Sequence, residues 1–413
     1  MPGHNQLLAN EVTTAANTGV NTGLAIANPN DQPATVNFTF TDATGADFGG
    51  SSVTIGPNRQ IANFLDEAPF NLPASRKPFQ GTFSFTSDVE VSVIALRGLY
   101  NERVPSEFLL TTLPITNLSA PPAAGPVFLP HFADGGGWTT QIVLVNAAAT
   151  ALTGTIQFFG QGTATVAGAP LTITAGGQTA ASFNYSIPPK TSFKLVTAGV
   201  PPATVAGSVR VTPSGGTAAP SALAIFSLKQ SGITVSEAGV PGIQGSAFRM
   251  YAEETATGGI GAIQTGFAIA NLAAAAANVT LELTGLDGGA TGQVANATVP
   301  GNGQIANFLH EAFPGLALPF KGILRISGGA AEGLSVVGLR GRYNERGDFL
   351  ITTTPPTNEV SPASGAELLF PHLVNGGGYT TQFILFSGTA GQASTGNMKF
   401  FKQDGTPFSL TVN

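Results

Sequence analysis

The sequence LYNERVPSEFLLTTLP, at residues 99–114, returns as RYNERGDFLITTTP at residues 342–355. Each copy follows a Leu-Arg-Gly step, and the copies lie about 240 residues apart. The identity extends outward to QIANFL at 60–65 and 304–309, and to GLAIAN at 23–28, which returns as GFAIAN at 266–271. Self-similarity at a fixed period is the signature of a tandem array. The sequence therefore predicts repeats of one structural unit.

A second repeat lies inside the first. FLPHFADGGGWTTQIVLVN, at residues 128–146, returns as LFPHLVNGGGYTTQFILFS at residues 369–387. We therefore divide the chain into four units, named A1, B1, A2 and B2 in chain order. Their ranges are 1–118, 119–243, 244–358 and 359–413. A2 repeats A1, and B2 repeats only the first half of B1.

The units read as β-strands. Val36, Phe38 and Phe40 alternate with polar residues, which is the period of a strand with one face in a core. The same alternation recurs along the chain, with Gly-rich turns between the segments, and short strands at such spacing favour antiparallel sandwiches. We predict an all-β fold, a tandem array of immunoglobulin-like antiparallel β-sandwiches of which three are complete and one is partial, arranged as a rod.

Composition excludes several classes of protein. Charged residues make up 10 % of the chain, Gly and Pro number 53 and 29, and the net charge is −6. Such a surface is typical of secreted β-rich structural proteins, and the mild negative charge argues against nucleic acid as a partner. The 42 % hydrophobic fraction argues against disorder. No apolar run approaches the length of a membrane span.

The repeated motifs resemble a known family. The patterns PH-x-x-x-GGG-[WY]-TTQ and RG-x-YNER…FL-TT-P are similar to the immunoglobulin-like tandem repeats at the ends of large secreted bacterial proteins. This resemblance covers the whole chain. It implies an extracellular or cell-surface location and a non-enzymatic surface or fibre role.

Catalytic motifs are missing from the sequence. It has no cysteine, and it lacks the nucleophile-elbow, zinc-protease, P-loop and EF-hand patterns. His131 with Asp134 recurs as His372 with Asn375, but two ligands are too few for a metal and the second copy loses the carboxylate. We interpret these residues as a turn whose three glycines need positive φ. We predict no enzyme activity, no metal and no cofactor.

The repeated stretch concentrates charge in a chain that has little of it. Such a cluster forms either an ion-pair clamp between neighbouring units or a contact between molecules, because Arg–carboxylate pairs fix orientation. The candidate interface residues are Arg97, Glu102, Arg103, Arg340, Glu345 and Arg346.

Trp138 and Tyr379 occupy equivalent positions after the two Gly triplets. Sugar-binding platforms use exposed aromatic rings with a polar handle, so this pair is the candidate platform for a surface glycan. The alternative is that both rings pack on a core or at its lip.

B2 lacks the strands that follow residue 180 in B1, so we expect an apolar face and unpaired strand edges there. Its final predicted strand contains Phe408, Leu410 and Val412, which are candidate interface residues. An open edge invites pairing with a second copy of the chain, and head-to-tail contacts give open polymers. The leading hypothesis is a structural subunit of an extracellular self-assembling filament or sheath. The alternative is a monomeric spacer or adhesive region of a larger surface protein.

Overall fold

The computed structural model describes residues 2–13, 19–120, 125–328, 333–360, 367–385, 387 and 393–410. The described residues form 28 strands, one short 3-10 turn and one four-residue α-helix, α1 (Leu309–Ala312). All strand pairs are antiparallel and build several sheets. The all-β sandwich prediction is therefore confirmed.

A1 contains eight strands: β1 (Pro2–Val12), β2 (Val20–Ala27), β3 (Ala34–Asp42), β4 (Asp47–Ile55), β5 (Gln60–Phe64), β6 (Phe79–Tyr100), β7 (Phe108–Leu113) and β8 (Ile115–Asn117). The long strand β6 runs through both layers of this sandwich. Its first part pairs with β1 and β3, and its second part pairs with β2 and β7. The alternation found in the sequence sets the core, since Val36, Phe38 and Phe40 are buried against one another.

B1 contains ten strands: β9 (Val127–Asp134), β10 (Trp138–Val145), β11 (Leu152–Gly160), β12 (Ile173–Ala175), β13 (Gln178–Ala180), β14 (Ser182–Ile187), β15 (Ser192–Val196), β16 (Val205–Pro213), β17 (Ser221–Gln230) and β18 (Ile233–Pro241). Its two sheets have the orders β14-β11-β16-β9 and β15-β10-β17-β18, with β12 and β13 as a separate hairpin.

The remaining strands are β19 (Ile243–Gly245), β20 (Ala247–Glu254), β21 (Ile263–Asn271), β22 (Ala277–Gly285), β23 (Ala290–Val299), β24 (Gln304–Phe308), β25 (Phe320–Gly328), β26 (Leu334–Tyr343), β27 (Phe349–Thr354) and β28 (Thr357–Asn358). They form the sheets β23-β22-β25-β20-β28 and β19-β26-β21-β24, and β27 also pairs with β26. The short strand β19 starts at the last residue assigned to B1 and pairs with a strand of A2.

One layout underlies the three sandwiches. We label the principal strands a to h in chain order, with f and g being the two parts of β6 in A1, β16 and β17 in B1, and β25 and β26 in A2. One sheet then has the order d-c-f-a and the other e-b-g-h. Strand f lies between a and c, and strand g lies beside b. This order differs from the ABED and CFG sheets of a constant-type immunoglobulin domain, so the immunoglobulin-like detail stays a resemblance.

The units pack side by side, and the predicted rod is wrong, because A1 also contacts A2 through Arg103 and Asp348 (2.8 Å). B1 contacts A1, because Val143, Leu223 and Ile225 pack on Ala9 and Leu113. B1 also contacts A2, whose Ala268 and Val337 belong to the B1 core cluster. Strand β18 of B1 lies between β7 of A1 and β27 of A2: the Gly239 N–H donates to Thr111 Oγ1 (2.6 Å) and the Ile351 N–H donates to Ser236 Oγ (2.7 Å).

B2 contacts A1, the first unit of the chain. His372 Nδ1 lies 3.2 Å from Gln60 Oε1, and the Gln60 N–H points at the Gln403 carbonyl (3.4 Å). The same contacts join B1 to A2, where His131 Nδ1 lies 2.6 Å from Gln304 Nε2 and the Gln304 N–H donates to the Gln161 carbonyl (2.9 Å). The glutamine that begins β5 in A1 and β24 in A2 therefore contacts a B unit in both cases. The contacts between A and B units thus repeat approximately within the chain.

Candidate functional site

The YNER stretch forms a hairpin loop that an asparagine organises. In A1, Asn101 Oδ1 accepts hydrogen bonds from the N–H groups of Arg103 (3.2 Å) and Glu107 (2.9 Å). In A2, Asn344 Oδ1 accepts from the N–H groups of Arg346 and Asp348, both at 2.9 Å. Asparagine suits this position because its side chain can replace missing backbone partners in a turn. Sequence reasoning missed both asparagines, although they stand in the repeated motif.

The two loops meet in an ion-pair cluster, which we call the YNER cluster. It consists of Arg103 and Glu107 of A1 with Arg346 and Asp348 of A2. Arg103 Nη2 donates to both carboxylate oxygens of Asp348 (2.9 and 2.8 Å), and Arg346 Nη2 donates to Glu107 Oε1 (2.5 Å). Each loop therefore contributes a guanidinium to the other loop's carboxylate. Bidentate pairs of this kind fix orientation.

Charge and hydrogen bonds in the cluster favour the ionised form of Asp348. Burial opposes ionisation of Asp348, but hydrogen bonds from Asn344 and Arg346 and the positive charge of Arg103 outweigh it and lower the pKa of Asp348. Conversely, the hydrogen bond to Asp348 raises the pKa of Arg346. The Asp348–Arg346 pair therefore keeps both of its charges at neutral pH.

Glu102 reaches B1 from the same loop. Its carboxylate accepts hydrogen bonds from the Thr234 N–H (2.7 Å) and Thr234 Oγ1 (3.2 Å), and it lies 2.8 Å from Lys229 Nζ. Burial opposes its ionisation, but the bonds from Lys229 and Thr234 prevail and lower the pKa of Glu102. One A1 loop thus holds both neighbouring units.

Arg97 forms a second, buried link from A1 to B1. Its Nη1 lies 3.2 Å from Glu237 Oε2, and both side chains are more than 90 % buried. Burial raises the pKa of Glu237, while the charge of Arg97 acts in the opposite direction. Beside this pair lies a cavity of about 30 Å³, lined among others by Asn10 and Lys194. That space suffices for a water molecule among polar groups.

Arg340 and Glu345 have partners within A2. Arg340, which repeats Arg97, donates to Glu253 Oε2 from two nitrogens (3.3 and 3.2 Å). Glu345 lies on the surface, where its Oε1 accepts from Arg342 (2.8 Å). Unlike Arg97, Arg340 meets no B-unit carboxylate among the described residues. A1 and A2 therefore use the same sequence positions differently.

The two aromatic candidates differ in environment. Trp138 is partly buried and packs against the B1 core, whereas Tyr379 is exposed. In both copies the preceding glycines have positive φ, with values of 82°, 60° and 94° at Gly135, Gly136 and Gly137. A Cβ at Gly135 would lie 2.4 Å from the Pro201 carbonyl oxygen. The turn interpretation of these glycines is confirmed.

His131 is part of the contact between B1 and A2. Burial lowers its pKa to about 4, so the ring is neutral at physiological pH and its bond with Gln304 joins two uncharged groups. Burial also lowers the pKa of His372 in B2. The nearby Asp134 accepts a hydrogen bond from the Gly199 N–H (2.8 Å). These residues hold a turn and a unit contact.

B2 presents its core-forming side chains to solvent. Phe370 is 51 % and Leu385 is 53 % exposed, whereas the equivalent Leu129 and Leu144 of B1 are fully buried. Nine of the 18 large exposed apolar side chains of the described chain lie in this unit: Val360, Leu368, Phe370, Val374, Tyr379, Ile384, Leu385, Met398 and Phe401.

The predicted last strand of B2 is only partly described. Phe408 donates its N–H to the Phe400 carbonyl (2.8 Å), and Phe408 and Leu410 are half-buried. Val412 lies outside the described residues. Residues 367–385, 387 and 393–410 contain isolated bridges but no strand ladder. Whether this segment pairs with another molecule stays a prediction.

Two features are missing from the described residues. No group of three or more His, Cys, Asp or Glu side chains there is placed to hold a metal ion. No helix in that part of the chain is long and apolar enough to cross a membrane.

Comparison with known proteins gives little further information. No family model and no curated protein matches the chain. A solved structure, the crystal structure of Thermotoga maritima 1070, aligns with 27 % of this chain and 93 % of its own, at 15 % identity and a TM-score of 0.21. So low a score carries no argument about fold or function.

Proposed function

We propose that the chain is a non-enzymatic structural subunit of an extracellular filament or sheath, joined to its neighbour through B2. The observation that carries this proposal is the exposed core of that unit. Taking about 200 Å² for one large side chain, the nine exposed residues together present roughly 900 Å² of surface. Ordinary monomers carry largest apolar patches of about 300–600 Å². Covering this face supplies the driving force for association.

The geometry also supports a directional contact. In A1, B1 and A2 the equivalent faces are buried inside each sandwich, so in a head-to-tail contact the exposed B2 face of one copy docks on an unlike surface of its neighbour. A contact between unlike surfaces is heterologous, and heterologous contacts that do not close produce open polymers. A filament of copies joined head to tail is the expected form.

Light scattering after size-exclusion chromatography, with negative-stain microscopy, tests the proposal on the 413-residue chain. We expect concentration-dependent growth into filaments. The double variant Phe370→Ser with Leu385→Ser should stay monomeric, because it removes two exposed apolar groups without opening a packed core. Val294→Ser is the matched control, since Val294 is equally exposed but lies on β23 of A2. A full-length chain that stays monomeric at high concentration would refute the filament.

The second candidate is a monomeric spacer or adhesive region of a larger surface protein. The contacts among A1, B1 and A2 favour it, because they join these units within one chain and give a compact block without a partner. An adhesive role for the exposed ring of Tyr379 predicts binding on a glycan array that Tyr379→Ala removes. Unchanged binding would exclude that ring as the platform.

A further inference from the structure

We infer that the outer face of the e-b-g-h sheet in each A unit is a binding site for a neutral saccharide. Both sites lie outside B2, so they go beyond the filament contact of the proposed function. Aromatic rings from strands e, g and h form each site. In A1 these rings, which we call the A1 strip, are Phe64, Tyr100 and Phe108. In A2 the equivalent rings, the A2 strip, are Phe308, Tyr343 and Phe349.

Strand register places the A1 strip on the face of the sheet that points away from the core. Ile61 and Leu113 pack on the A1 core. Successive side chains of a strand alternate between its faces, so Phe64 and Phe108, which stand at odd spacings from these two residues, project outward. Tyr100 is the strand partner of Phe108 and shares its face.

Apolar exposure in A1 is concentrated at this strip. Among the described residues of A1, the large apolar side chains with high exposure are Tyr100, Val104 and Leu110. Val104 lies in the loop between Tyr100 and Phe108, and Leu110 shares a face with Phe108 because it stands two residues further along the strand. Tyr100 is 45 % exposed, and the rings of Phe64 and Phe108 are half-buried. The strip is therefore accessible to a ligand.

Glycines under the rings fix their position. A Cβ at Gly98 would lie 2.3 Å from Cζ of the Phe108 ring, and one at Gly23 would lie 3.4 Å from the ring of Phe64. Each of these two rings therefore lies against the backbone of a neighbouring strand. The ring centroids of Phe64 and Phe108 are 5.8 Å apart, and those of Tyr100 and Phe108 are 4.7 Å apart. A site that is fixed before its ligand arrives loses less entropy on binding.

The A2 strip repeats this geometry. The ring centroids of Phe308 and Phe349 are 6.4 Å apart, and those of Tyr343 and Phe349 are 5.0 Å apart. A Cβ at Gly341 would lie 2.4 Å from Cζ of the Phe349 ring. The ring of His310 stacks on Phe308, with the centroids 5.8 Å and the planes 7° apart. Each chain therefore carries two copies of the aromatic site.

Polar side chains border the A1 strip. Asn21 is the strand partner of Gly98, and its Nδ2 donates to Asp66 Oδ1 (2.8 Å), while Lys77 Nζ donates to Asp66 Oδ2 (2.6 Å). The side chains of Lys77 and Asp66 are 21 % and 18 % exposed. A carboxylate accepts about four hydrogen bonds and an ammonium group donates three. Donor and acceptor capacity therefore remains for hydroxyl groups, which both donate and accept.

The combination of rings and polar groups selects a saccharide. A sugar ring has an apolar face of C–H groups, which packs on an aromatic ring, and hydroxyl groups at its edge, which hydrogen-bond to polar side chains. The charges of Lys77 and Asp66 cancel, and the whole chain carries a net charge of −6. Neither charge favours a polyanion. The ligand is therefore an uncharged saccharide.

The two copies of the site differ in their polar groups. In A2, His310 takes the place of Asp66 and Leu318 that of Lys77. His310 Nδ1 is in contact with the carboxylate of Glu254, whose side chain is fully buried. The strips therefore share their rings but offer different hydrogen-bond partners, and we expect two sites of unequal affinity for one saccharide.

The probes are four neutral hexasaccharides: cellohexaose, chitohexaose, mannohexaose and maltohexaose. Each is titrated into the full 413-residue chain by calorimetry, at concentrations up to about 10 mM. We expect at least one probe to bind, and saturation-transfer NMR should show contacts through its C–H protons. The acidic hexasaccharide of hyaluronan should bind more weakly. Failure of all four neutral probes to bind, or tighter binding of the acidic one, would overturn the inference.

Variants of the rings locate the site. Tyr100→Ala with Tyr343→Ala should weaken binding by about 3- to 10-fold, because each site loses one aromatic contact, whereas tryptophan at both positions should retain the affinity. Gly98→Ala keeps every ring but displaces that of Phe108, so it should weaken the A1 site alone. Tyr379→Ala is the matched control, since this exposed tyrosine lies in B2. Binding that is lost in the control but kept in the double alanine variant would contradict the assignment to the strips.

Two further measurements separate this site from the alternatives. The variant Phe370→Ser with Leu385→Ser should bind the saccharide with unchanged affinity, and loss of binding would move the site to B2 and overturn the inference. Decaproline should not compete, because competition would assign the strips to a proline-rich peptide. Saccharide binding by a chain that stays monomeric supports the strips and refutes the filament. Filaments that bind no saccharide support the filament and refute the strips.

Discussion

The substitution Gly239→Ala tests the side-by-side packing of the units, because packed units and separated units predict opposite signs for the change in the free energy of unfolding. Gly239 lies on β18, and a Cβ there would approach the Thr112 carbonyl oxygen of β7 to 2.3 Å. Normal contact is about an ångström longer, so A1 and B1 must separate or bend, at a cost typical of overpacking, about 1–3 kcal/mol. In an extended rod the same position would face solvent, and alanine would stabilise the strand by about 0.5–1 kcal/mol.

The assay uses the single tryptophan of the chain, Trp138, which packs on the B1 core. Urea unfolding followed by its fluorescence reports on B1 specifically, which matters because a chain of several units need not unfold in two states. We expect the midpoint to fall by about 0.5–1 M. Gly315→Ala is the control, since no atom lies within 4 Å of its added Cβ and its φ is not positive. An unchanged or raised midpoint for Gly239→Ala would refute the packing of β18 on β7.

Two further predictions concern the contacts between units. A double-mutant cycle of Arg103→Gln with Asp348→Asn should give a coupling free energy of about 1–2 kcal/mol in urea unfolding. The reason is that Arg103 donates to both oxygens of Asp348 and that the two side chains are only 24 % and 13 % exposed. A coupling near zero would show that the YNER cluster does not hold A1 to A2. His131 has a pKa of about 4 in the folded chain, against an ordinary value of 6.5, so the unfolded chain binds its proton more readily. The contribution of this residue to the free energy of unfolding is therefore fully present above pH 6.5. It falls by up to about 3 kcal/mol as the pH drops to 4. Titration of the ring by NMR checks this, and a midpoint near 6.5 would contradict burial against Gln304.

The sequence predicted the strands of each unit well, because successive side chains of a strand alternate between the buried and the exposed face. Val36, Phe38 and Phe40 alternate with polar residues, and all three are in the core. The same pattern could not show that Phe83 and Val93 belong to one continuous strand, β6, crossing both layers. Alternation records which face a residue occupies, whereas strand partners depend on residues far along the chain.

The contacts between units were less accessible to sequence reasoning. Clustered charge pointed to Arg103 and Glu102 at the junction of an A unit with the following B unit, but not to the contact of Arg103 with A2. The bond between His131 and Gln304 joins residues 173 positions apart, and although each stands in a repeated motif, neither motif identifies the other as its partner. For B2 the sequence predicted only an unpaired edge, and not the loss of every strand ladder in its described residues. In B1, strands a and c pair through f, and a repeat alignment does not contain this order.

Strand β6 has a mechanical consequence for A1. Since one uninterrupted backbone segment contributes to both layers, tension applied to either layer passes to the other through covalent bonds. Peeling one sheet away therefore requires shearing hydrogen bonds in both at once. Under a stretching force, A1 should therefore unfold as one unit rather than one sheet at a time.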